Sequence, residues 1–339
     1  MKRSAIGLTE IADFDTFTHA FHAAAKGKRG KGDVEAFRAN LDHELSVLRG
    51  GLLAGTLTPG PMRRFRIYDP KPRLIHAPCF RDRVLHHAIM AHVGPVLDRA
   101  LVFDTYACRP GKGTLAAVRR AQRHAGRYEW FGQIDVQAYF ASIDHDILLG
   151  LLERKFRDRA LLTLLARIVR AHEDAPGRGL PIGTLTSQHF ANFYLGGLDR
   201  HLLEVLRMRG FVRYMDDLVW WTDDRASARA ACGTARDYLA EVLHLTMKEP
   251  VRVGRCRDGL SFCGFRVLPS RLLLSRRRRR RYGILRQRAE RAWLDGETDA
   301  PCLQAAYASA LSLTVHADAV AWRREQLRRR PLDAALAAL

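Results

Sequence analysis

The sequence has few cysteines, and their spacing fits neither a metal site nor a disulfide framework. Six cysteines are scattered without a Cys-x-x-Cys pair, and the nearest two, Cys256 and Cys263, are seven positions apart. A structural zinc site or a disulfide-stapled secreted fold is therefore not expected. No uninterrupted apolar stretch approaches the roughly 18 residues that a spanning helix needs. The basic N-terminus leads into Thr9 and Glu10 instead of an apolar signal core, so we expect a cytoplasmic protein without a membrane partner.

Acidic residues are scarce relative to basic ones. The 339 residues include 56 Lys and Arg against 36 Asp and Glu, a formal net charge of +20. This excess repels itself unless a polyanion neutralises it, and by charge alone a nucleic acid or an anionic membrane surface would serve. Together with the lack of a spanning segment or signal core, the charge predicts a nucleic-acid partner. Hydrophobic residues make up 47% of the chain, which suits two or three packed subdomains and excludes a wholly disordered protein.

Helical periodicity alternates with short runs of β-formers along the chain. Residues 63–75 read as a basic hairpin interrupted by prolines, residues 128–136 as a strand, and residues 211–221 as strand, acidic turn and strand. A central unit of strands and helices with helical flanks is an α+β architecture. Helices are predicted at residues 33–54, 81–103, 113–125, 146–156, 159–171, 190–205, 225–244 and from about 284 to the C-terminus.

Residues 210–221 carry the most informative pattern. Apolar β-formers flank Asp216 and Asp217, which places two adjacent carboxylates at the tip of a tight hairpin. Such carboxylates repel each other, and Mg²⁺ would relieve the repulsion, although a solvated turn also fits the pair. Asp135 ends another apolar strand. If that strand pairs with the hairpin, the three carboxylates form a site in which two Mg²⁺ ions about 3.5–4 Å apart support in-line phosphoryl displacement.

Five segments together resemble the ordered motifs of reverse transcriptases. Residues 214–217, Tyr-Met-Asp-Asp, resemble the YxDD box, and the segment around Asp135 resembles the first palm motif. Residues 71–84 resemble the fingers motifs, residues 179–188 the second palm motif, and residues 259–265 the primer-grip hairpin. One tetrapeptide is a weak signal, but five motifs in the correct order are specific.

The resemblance implies a right-hand polymerase with fingers, a palm of antiparallel sheet packed on helices, and a helical thumb. Residues 1–125 would form an N-terminal extension and fingers, residues 126–268 the palm, and residues 269–339 the thumb. The implied reaction is attack of a primer 3′-hydroxyl on a dNTP, directed by an RNA template. The implied cofactors are two Mg²⁺ ions, which Mn²⁺ can replace, and the implied partners include the primer and the RNA/DNA duplex.

Residue roles follow from the same resemblance. Asp135 and Asp216 would be metal ligands, Asp217 a supporting ligand or a carboxylate that sets the local field, and the Val136 carbonyl a further ligand. Phe140 occupies the family's steric-gate position, where its ring would collide with a ribose 2′-hydroxyl, although a core Phe would look the same.

The other candidate nucleotide contacts lie on both sides of the first palm motif. Fingers cations would reach triphosphate oxygens, contact template phosphates or remain surface charges. Ala138 and Tyr139, beside Phe140, would line its pocket, and Lys248 would donate a proton to the departing pyrophosphate. These candidates are Lys71, Arg73, Arg83, Ala138, Tyr139, Ile182, Gln188 and Lys248.

Two departures within the second palm motif indicate a subfamily. Most bacterial reverse transcriptases have Gln where Ile182 stands and Pro where Gln188 stands, and the I-G-x-x-x-S-Q pattern resembles enzymes of diversity-generating retroelements. Those bacterial or phage enzymes copy a template-repeat RNA into cDNA mutagenised at adenines, with a small accessory variability protein. Ile182 lacks the hydrogen bonds of Gln, which would weaken base selection unless the residue merely packs.

Other functions stay open at this point. Within the same class, a group II intron-like, defence-associated or retron reverse transcriptase is an alternative. A palm-fold nucleotide cyclase would share the paired acids but would act on one free nucleotide. A catalytically silent RNA-binding scaffold would share the basic charge.

The strongest basic segment follows the primer-grip motif. Residues 266–291 contain eleven arginines and one acid, a net charge of +10 and half of the chain's total. The resemblance places the thumb here, where arginines would contact duplex phosphates without reading sequence. A docking surface for an RNA-bound partner is an alternative. The nucleic-acid-binding candidates are Arg276, Arg277, Arg278, Arg279, Arg280 and Arg281.

Overall fold

The computed structural model describes residues 3–68 and 72–331. Lys71 and the last stretch of the predicted C-terminal helix, residues 332–339, lie outside the described residues. The structure is 54% helical with small antiparallel sheets, which agrees with the α+β expectation. Among the described residues, no helix combines the length and apolar character needed to cross a bilayer.

The chain divides into two units, each assembled from three segments. The division into fingers, palm and thumb therefore stays a prediction, because these units follow different boundaries. The first unit comprises Met1–Arg109, Asp135–Leu206 and Gly233–Glu249, and the second comprises Pro110–Ile134, Arg207–Cys232 and Pro250–Leu339.

Helices account for most of the described chain. A π-helical turn, His201–Val205, follows the eleventh of them. In chain order the helices are α1 (Leu8–Ile11), α2 (Phe14–Ala25), α3 (Gly32–Ala39), α4 (Leu41–Leu53), α5 (Phe80–Ala100), α6 (Thr114–Ala125), α7 (Tyr139–Ser142), α8 (His145–Glu153), α9 (Arg159–Arg170), α10 (Leu185–Tyr194), α11 (Gly196–Arg200), α12 (Arg225–Glu241), α13 (Arg276–Leu294), α14 (Ala300–Ser312) and α15 (Val320–Arg329).

The strands form three antiparallel sheets. They are β1 (Met62–Tyr68), β2 (Pro72–Pro78), β3 (Trp130–Ile134), β4 (Gly210–Tyr214), β5 (Asp217–Thr222), β6 (Arg252–Arg255), β7 (Leu260–Phe262), β8 (Phe265–Val267) and β9 (Leu272–Leu274). The first sheet is the hairpin β1–β2, the second has the order β4-β5-β3-β6, and the third has the order β7-β8-β9. The predicted basic hairpin is thus present as β1–β2, and the predicted hairpin around the acidic pair is present as β4–β5.

An aromatic cluster anchors the helical part of the first unit. Phe37 meets Phe80 edge-on, with ring centroids 5.2 Å apart, and stacks on Phe21 at 5.8 Å. All three rings are buried, so they join α2, α3 and the start of α5. This packing fixes the helix that begins immediately after the β1–β2 hairpin.

The four-stranded sheet of the second unit is built around buried tryptophans. Trp220 and Trp221 on β5 are almost fully buried, and the Trp221 ring stacks on His124 of α6 with centroids 5.0 Å apart. A side chain at Gly132 on β3 would overlap the Trp220 indole, so only glycine lets these two strands pair closely. The acidic turn joins β4 and β5 of this closely packed sheet.

Several helix boundaries differ from the sequence prediction. The tail predicted as helical from about residue 284 contains three helices, α13, α14 and α15, and the helix predicted at residues 190–205 is divided into α10, α11 and the π-helical turn. The single helix predicted at residues 33–54 is interrupted at Asn40, whose φ of −121° leaves the helical region and separates α3 from α4. The tail helix begins at Arg276 and not near residue 284. Ser275 caps it by accepting a hydrogen bond from the Arg278 amide, so the arginine run is helical from its first residue.

Candidate active site

The acidic pair lies on a strained two-residue turn. Tyr214 and Asp217 pair across the ends of β4 and β5, which leaves Met215 and Asp216 as the turn. Met215 has φ +58°, a left-handed conformation that costs on the order of 1–3 kcal/mol for a residue with a side chain. The fully buried Arg213 donates to the Met215 carbonyl at 2.9 Å and helps to hold this conformation. The turn presents both half-buried carboxylates at the hairpin tip.

Strand β3 runs beside that hairpin, as the three-carboxylate hypothesis requires. Its last residue, Ile134, lies opposite Leu218, the residue after Asp217. Asp135 is the next residue in the chain after Ile134. The sheet therefore brings the end of β3 to the same edge as the start of β5.

Asp135 forms an ion pair with Lys248. The Lys248 ammonium donates to Asp135 Oδ2, and the Lys248 amide donates to the Asp135 carbonyl at 2.9 Å. The next pair, Val136 and Met247, forms an isolated antiparallel bridge. The Gln137 amide donates to the Thr246 carbonyl. The Val136 carbonyl is not the acceptor in any of these hydrogen bonds. The sequence prediction of Lys248 as an acid for pyrophosphate did not anticipate its ion pair with Asp135.

The chemistry of this donor set fits a hard divalent cation. Carboxylate and carbonyl oxygens are the ligands that Mg²⁺ prefers, and the Lys248 ammonium already places positive charge on one of them. Over the described part of the chain, however, no three His, Cys, Asp or Glu side chains are grouped closely enough to hold a metal ion. Ligation by all three aspartates therefore stays a prediction.

The candidates after Asp135 differ in what their side chains do. Ala138 adopts a left-handed conformation with φ +46° and turns the chain into α7. Tyr139 is buried and donates its hydroxyl to the Ala191 carbonyl, so its ring packs in the core and only its backbone remains a candidate nucleotide contact. Phe140 is half-buried, and its carbonyl accepts the Leu180 amide at 2.8 Å, which fixes its position.

The second palm motif packs against strand β2. The Ile182 carbonyl accepts the His76 amide at 2.8 Å. A side chain at Gly183, where φ is +126°, would come within 2.8 Å of the His76 carbonyl, so the close approach requires glycine. Gln188 accepts a weak hydrogen bond from the Cys108 thiol at 3.6 Å. Ile182 is thus held from its backbone, and its side chain contributes no hydrogen bond.

Comparison with known proteins decides the family. The family model described as Reverse transcriptase (RNA-dependent DNA polymerase) matches residues 68–249, more than half of the chain. The chain belongs to the reverse transcriptase family. This membership supports the RNA-directed DNA polymerase activity that the motifs predicted.

Its curated relatives include group II intron proteins. The reverse transcriptase is 26% identical to Protein YkfC of Escherichia coli K12, over 74% of this chain and 75% of that protein. It is 26% identical to the group II intron-encoded protein LtrA of Lactococcus lactis, over 53% of this chain and only 32% of that protein. A putative COX1/OXI3 intron 1 protein of Saccharomyces cerevisiae is 24% identical over 48% of this chain and 21% of its own length. The chain thus spans a third or less of the two intron proteins.

Two of the cations in the predicted fingers motifs, Arg73 and Arg83, have unequal surroundings. Arg73 is exposed on β2, opposite Ile67, and is accessible to a ligand. Arg83 on α5 donates to the Pro78 carbonyl at 3.0 Å, so its guanidinium also fastens the end of the hairpin to the helix. Phosphate contact by either residue stays a prediction.

The arginine run opens α13. Arg276, Arg277, Arg279, Arg280 and Arg281 are exposed at a helix N-terminus, where the helix dipole disfavours cations. Phosphates of a nucleic acid would offset both the dipole and the mutual repulsion. This concentration of exposed positive charge supports a nucleic-acid-binding role for these five residues.

Arg278 differs from its neighbours in the run. Its guanidinium carbon lies 4.0 Å from the Phe265 ring centroid, a cation–π contact with the β7–β8 hairpin. The hairpin turn is Cys263-Gly264, with φ of +47° and +82°, and a side chain at Gly264 would overlap Arg278. Burial, with a smaller contribution from Asp217, raises the pKa of the Cys263 thiol. Arg278 therefore joins α13 to the hairpin, whatever contact it also makes with nucleic acid.

Gln133 is a site residue that the sequence analysis missed. Its side-chain amide donates to Asp217 Oδ1 at 2.8 Å and to the Ser261 carbonyl at 3.0 Å. Its oxygen accepts a longer bond from Arg252 at 3.5 Å. Gln133 is nine-tenths buried, so these bonds are sheltered from water. One amide thus ties a candidate catalytic carboxylate to strand β7 and makes Gln133 a positioning residue for Asp217.

Replacing Gln133 by methionine is expected to lower kcat for primer extension about fivefold, because one hydrogen bond contributes about 1 kcal/mol and its loss frees the Asp217 carboxylate. Methionine keeps the length and volume of the side chain, so the melting temperature should fall only slightly. The Gln133→Glu variant should be worse, since a carboxylate cannot donate and repels Asp217. Rates measured across a Mg²⁺ titration check the role, because a purely structural residue would leave the Mg²⁺ dependence unchanged.

Proposed function

We propose that this reverse transcriptase joins dNTPs to a primer on an RNA template, using Asp135, Asp216 and Asp217 to bind two Mg²⁺ ions. The observation that carries the proposal is the strained β4–β5 turn, which offers two carboxylates at the sheet edge where β3 ends. The ions would activate the primer hydroxyl and stabilise the charge on the departing pyrophosphate. The Val136 carbonyl would complete the ligand set.

The neighbouring side chains would orient the nucleotide. The ring of Phe140, whose backbone carbonyl accepts the Leu180 amide and whose edge meets Tyr139, would exclude a ribose 2′-hydroxyl. Lys248 would hold Asp135 before the nucleotide enters and afterwards supply a proton from its ammonium to the pyrophosphate. Arg73 and the exposed arginines of α13 would contact phosphates of the nucleotide and of the RNA/DNA duplex.

We further propose that the enzyme copies a template-repeat RNA into cDNA mutagenised at adenines for a diversity-generating retroelement. The support is the second palm motif, in which Ile182 supplies no side-chain hydrogen bond and is held by its backbone to His76. An aliphatic residue at this position leaves base selection to shape alone. A small accessory variability protein would be the partner of this activity.

A group II intron-type function is the second candidate. The observation that favours it is the similarity to LtrA, whose name describes a group II intron-encoded protein. An accurate polymerase would fit that function, whereas errors concentrated opposite template adenines would fit the diversity-generating one.

Sequencing the products of primer extension on RNA, with and without a candidate accessory protein, separates the two functions. We expect the native chain to misincorporate opposite adenines. Because one hydrogen bond contributes about 1 kcal/mol, Ile182→Gln should lower that misincorporation frequency about fivefold. Ile182→Leu is the matched control and should leave the frequency unchanged.

Each outcome of that experiment has a distinct meaning. Accurate extension by the native chain would retain the polymerase but end the diversity-generating proposal. An unchanged error spectrum in Ile182→Gln would show that Ile182 only packs. No extension on RNA, even with the accessory protein, would favour the RNA-binding scaffold.

A further inference from the structure

A short stretch of chain, residues 243–248, connects helix α12 to the lysine that pairs with Asp135. We call it the lysine segment, and it lies within the first unit. Buried and exposed residues alternate along it: Leu243, Leu245 and Met247 are buried, whereas His244, Thr246 and Lys248 are exposed. This alternation is typical of a chain with one face on the core. The position of Lys248 therefore depends on how the segment leaves the helix.

The lysine segment leaves α12 at a strained residue. His244 has φ +51°, a left-handed conformation that glycine adopts freely and other residues adopt at a cost. The Leu245 amide donates to the Leu239 carbonyl at 2.8 Å, which closes the end of the helix. Beyond this turn, the Gln137 amide donates to the Thr246 carbonyl at 2.9 Å, so the segment runs beside the first palm motif. Strain of this kind is concentrated at positions where the side chain has a function.

The His244 side chain contacts Asp144 at the N-terminus of α8. Its Nδ1 atom lies 3.3 Å from Asp144 Oδ2, and the Arg178 guanidinium lies 3.8 Å from the same oxygen. The other oxygen, Oδ1, accepts the Asp146 and Ile147 amides at 3.1 and 3.2 Å. The Asp144 side chain is only 18% exposed. These contacts fix the carboxylate on α8, so it offers His244 a firm anchor.

The charge of Asp144 sets the direction of its bond with His244. Burial by itself would raise the pKa of Asp144, but the bonds from the two α8 amides and from His244, together with the Arg178 charge, lower it. The carboxylate is therefore ionised at neutral pH and can only accept, so His244 donates from Nδ1. Glycine would allow the same turn without strain but could not make this bond. The bond is what histidine adds at this position.

The backbone of the lysine segment is held at both ends. The buried Tyr194 hydroxyl donates to the Leu243 carbonyl at 2.7 Å, and the Lys248 amide donates to the Asp135 carbonyl at 2.9 Å. His244 adds a side-chain contact four residues before Lys248, about 13 Å along an extended chain. Because the chain between them is short and bonded, a shift of His244 is passed on to Lys248.

We propose that His244 is a positioning residue for Lys248. By donating to Asp144, it fixes the lysine segment so that the Lys248 ammonium rests on the Asp135 carboxylate until a nucleotide enters. The value of this anchor for catalysis rests on the proposed function, in which Lys248 supplies a proton to the pyrophosphate. The anchor itself rests on the contacts alone.

Three substitutions at His244 test the proposal, because glycine, asparagine and aspartate all tolerate the left-handed conformation. His244→Asn keeps a donor near the place of Nδ1, His244→Gly removes it, and His244→Asp brings a like charge to Asp144. We expect kcat for primer extension to stay near the native value in His244→Asn and to fall about fivefold, the factor for one hydrogen bond, in His244→Gly. His244→Asp should lose more. The KM for dNTPs should hardly change, since Lys248 acts on the leaving group.

Acylation of lysines by a limiting succinimidyl ester, quantified by peptide mass spectrometry without nucleotide, gives a readout that does not need catalysis. Relative to the exposed Lys26, Lys248 should react severalfold faster in His244→Gly and His244→Asp than in the native chain. Arg207→Gly is the matched control, because Arg207 is exposed and also has φ +51°. It should leave kcat and the labelling of Lys248 unchanged.

Melting temperatures separate positioning from support of the fold. Glycine relieves the strain at residue 244, which offsets the lost bond, so His244→Gly should melt near the native temperature although its kcat falls. Lower melting temperatures and kcat in all three variants would show that His244 only supports the fold. Native labelling of Lys248 in His244→Gly would overturn the anchor. If the labelling changes as expected in a chain that does not extend primers, the anchor stands and the proposed function alone fails.

Discussion

Replacing Asp216 by asparagine is expected to abolish RNA-templated primer extension, with kcat falling at least about 10³-fold. A ligand to a catalytic ion contributes several kcal/mol to transition-state stabilisation, and each 1.36 kcal/mol corresponds to a factor of ten in rate. Asparagine keeps the size of the side chain and can occupy the same turn. The fold should therefore survive, and single-turnover extension with saturating dNTPs measures the loss.

Thermal melting adds a readout that does not depend on catalysis. Asp216 and Asp217 are adjacent, so removing one charge relieves repulsion, and the variant without Mg²⁺ should melt at or above the native temperature. Mg²⁺ should raise the melting temperature of the native chain but hardly that of the variant, because only the native site binds the ion well.

Asp223→Asn is the matched control for that prediction. Asp223 is exposed just beyond the far end of β5, about 20 Å along the strand from the acidic turn. Its replacement makes the same chemical change and should leave extension and the Mg²⁺ shift intact. Full activity in Asp216→Asn, or equal losses in both variants, would contradict the assignment of Asp216 as a metal ligand.

Local patterns were enough to predict the acidic hairpin. Alternating β-formers on both sides of Asp216 and Asp217 specify two short strands, and only a tight turn fits between them. The apolar run before Asp135 likewise predicted β3, and the structure supplies the pairing of Ile134 with Leu218. The predicted α+β class follows from the same local patterns.

Contacts between distant parts of the chain could not be predicted in this way. Gln133 and Asp217 are 84 positions apart, and Asp135 and Lys248 are 113 positions apart. A single sequence contains no local trace of such pairs, because they arise only when strands and loops pack together. The buried His76 Nδ1 atom, which has no hydrogen-bond partner among the described residues, is a result of packing for the same reason.

The displaced helix boundaries at Asn40 and Arg276 have a different origin. Six consecutive arginines repel one another at helical spacing, which hides the start of α13 from a reading of apolar periodicity. Ser275 was the available signal, since serine before a helical run is a common N-cap. At Asn40, a good turn former interrupts an apolar stripe that continues in register on both sides. Ser275 as an N-cap and Asn40 as a turn former therefore indicate these two boundaries better than apolar periodicity does.

Replacing Phe140 by alanine is expected to let the enzyme accept ribonucleotides. Steric exclusion in a pocket is typically a 10- to 200-fold effect, so the ratio of kcat/KM for dNTPs over rNTPs should fall by about that factor. The structure strengthens this prediction, because the Phe140 carbonyl is bonded to Leu180 and the ring meets Tyr139 edge-on at 5.8 Å. A ring held in this way cannot easily swing aside for a 2′-hydroxyl.

Phe140→Tyr is the control that separates a gate from a packing residue. Tyrosine retains the ring, so discrimination between dNTPs and rNTPs should remain, whereas alanine should lose it with little change in kcat/KM for dNTPs. If Phe140 only fills the core, alanine should instead lower kcat/KM for both sugars together and reduce the melting temperature by several degrees. Because both variants leave the Leu180 bond in place, a change confined to rNTP use would identify the ring itself as the element that reads the sugar.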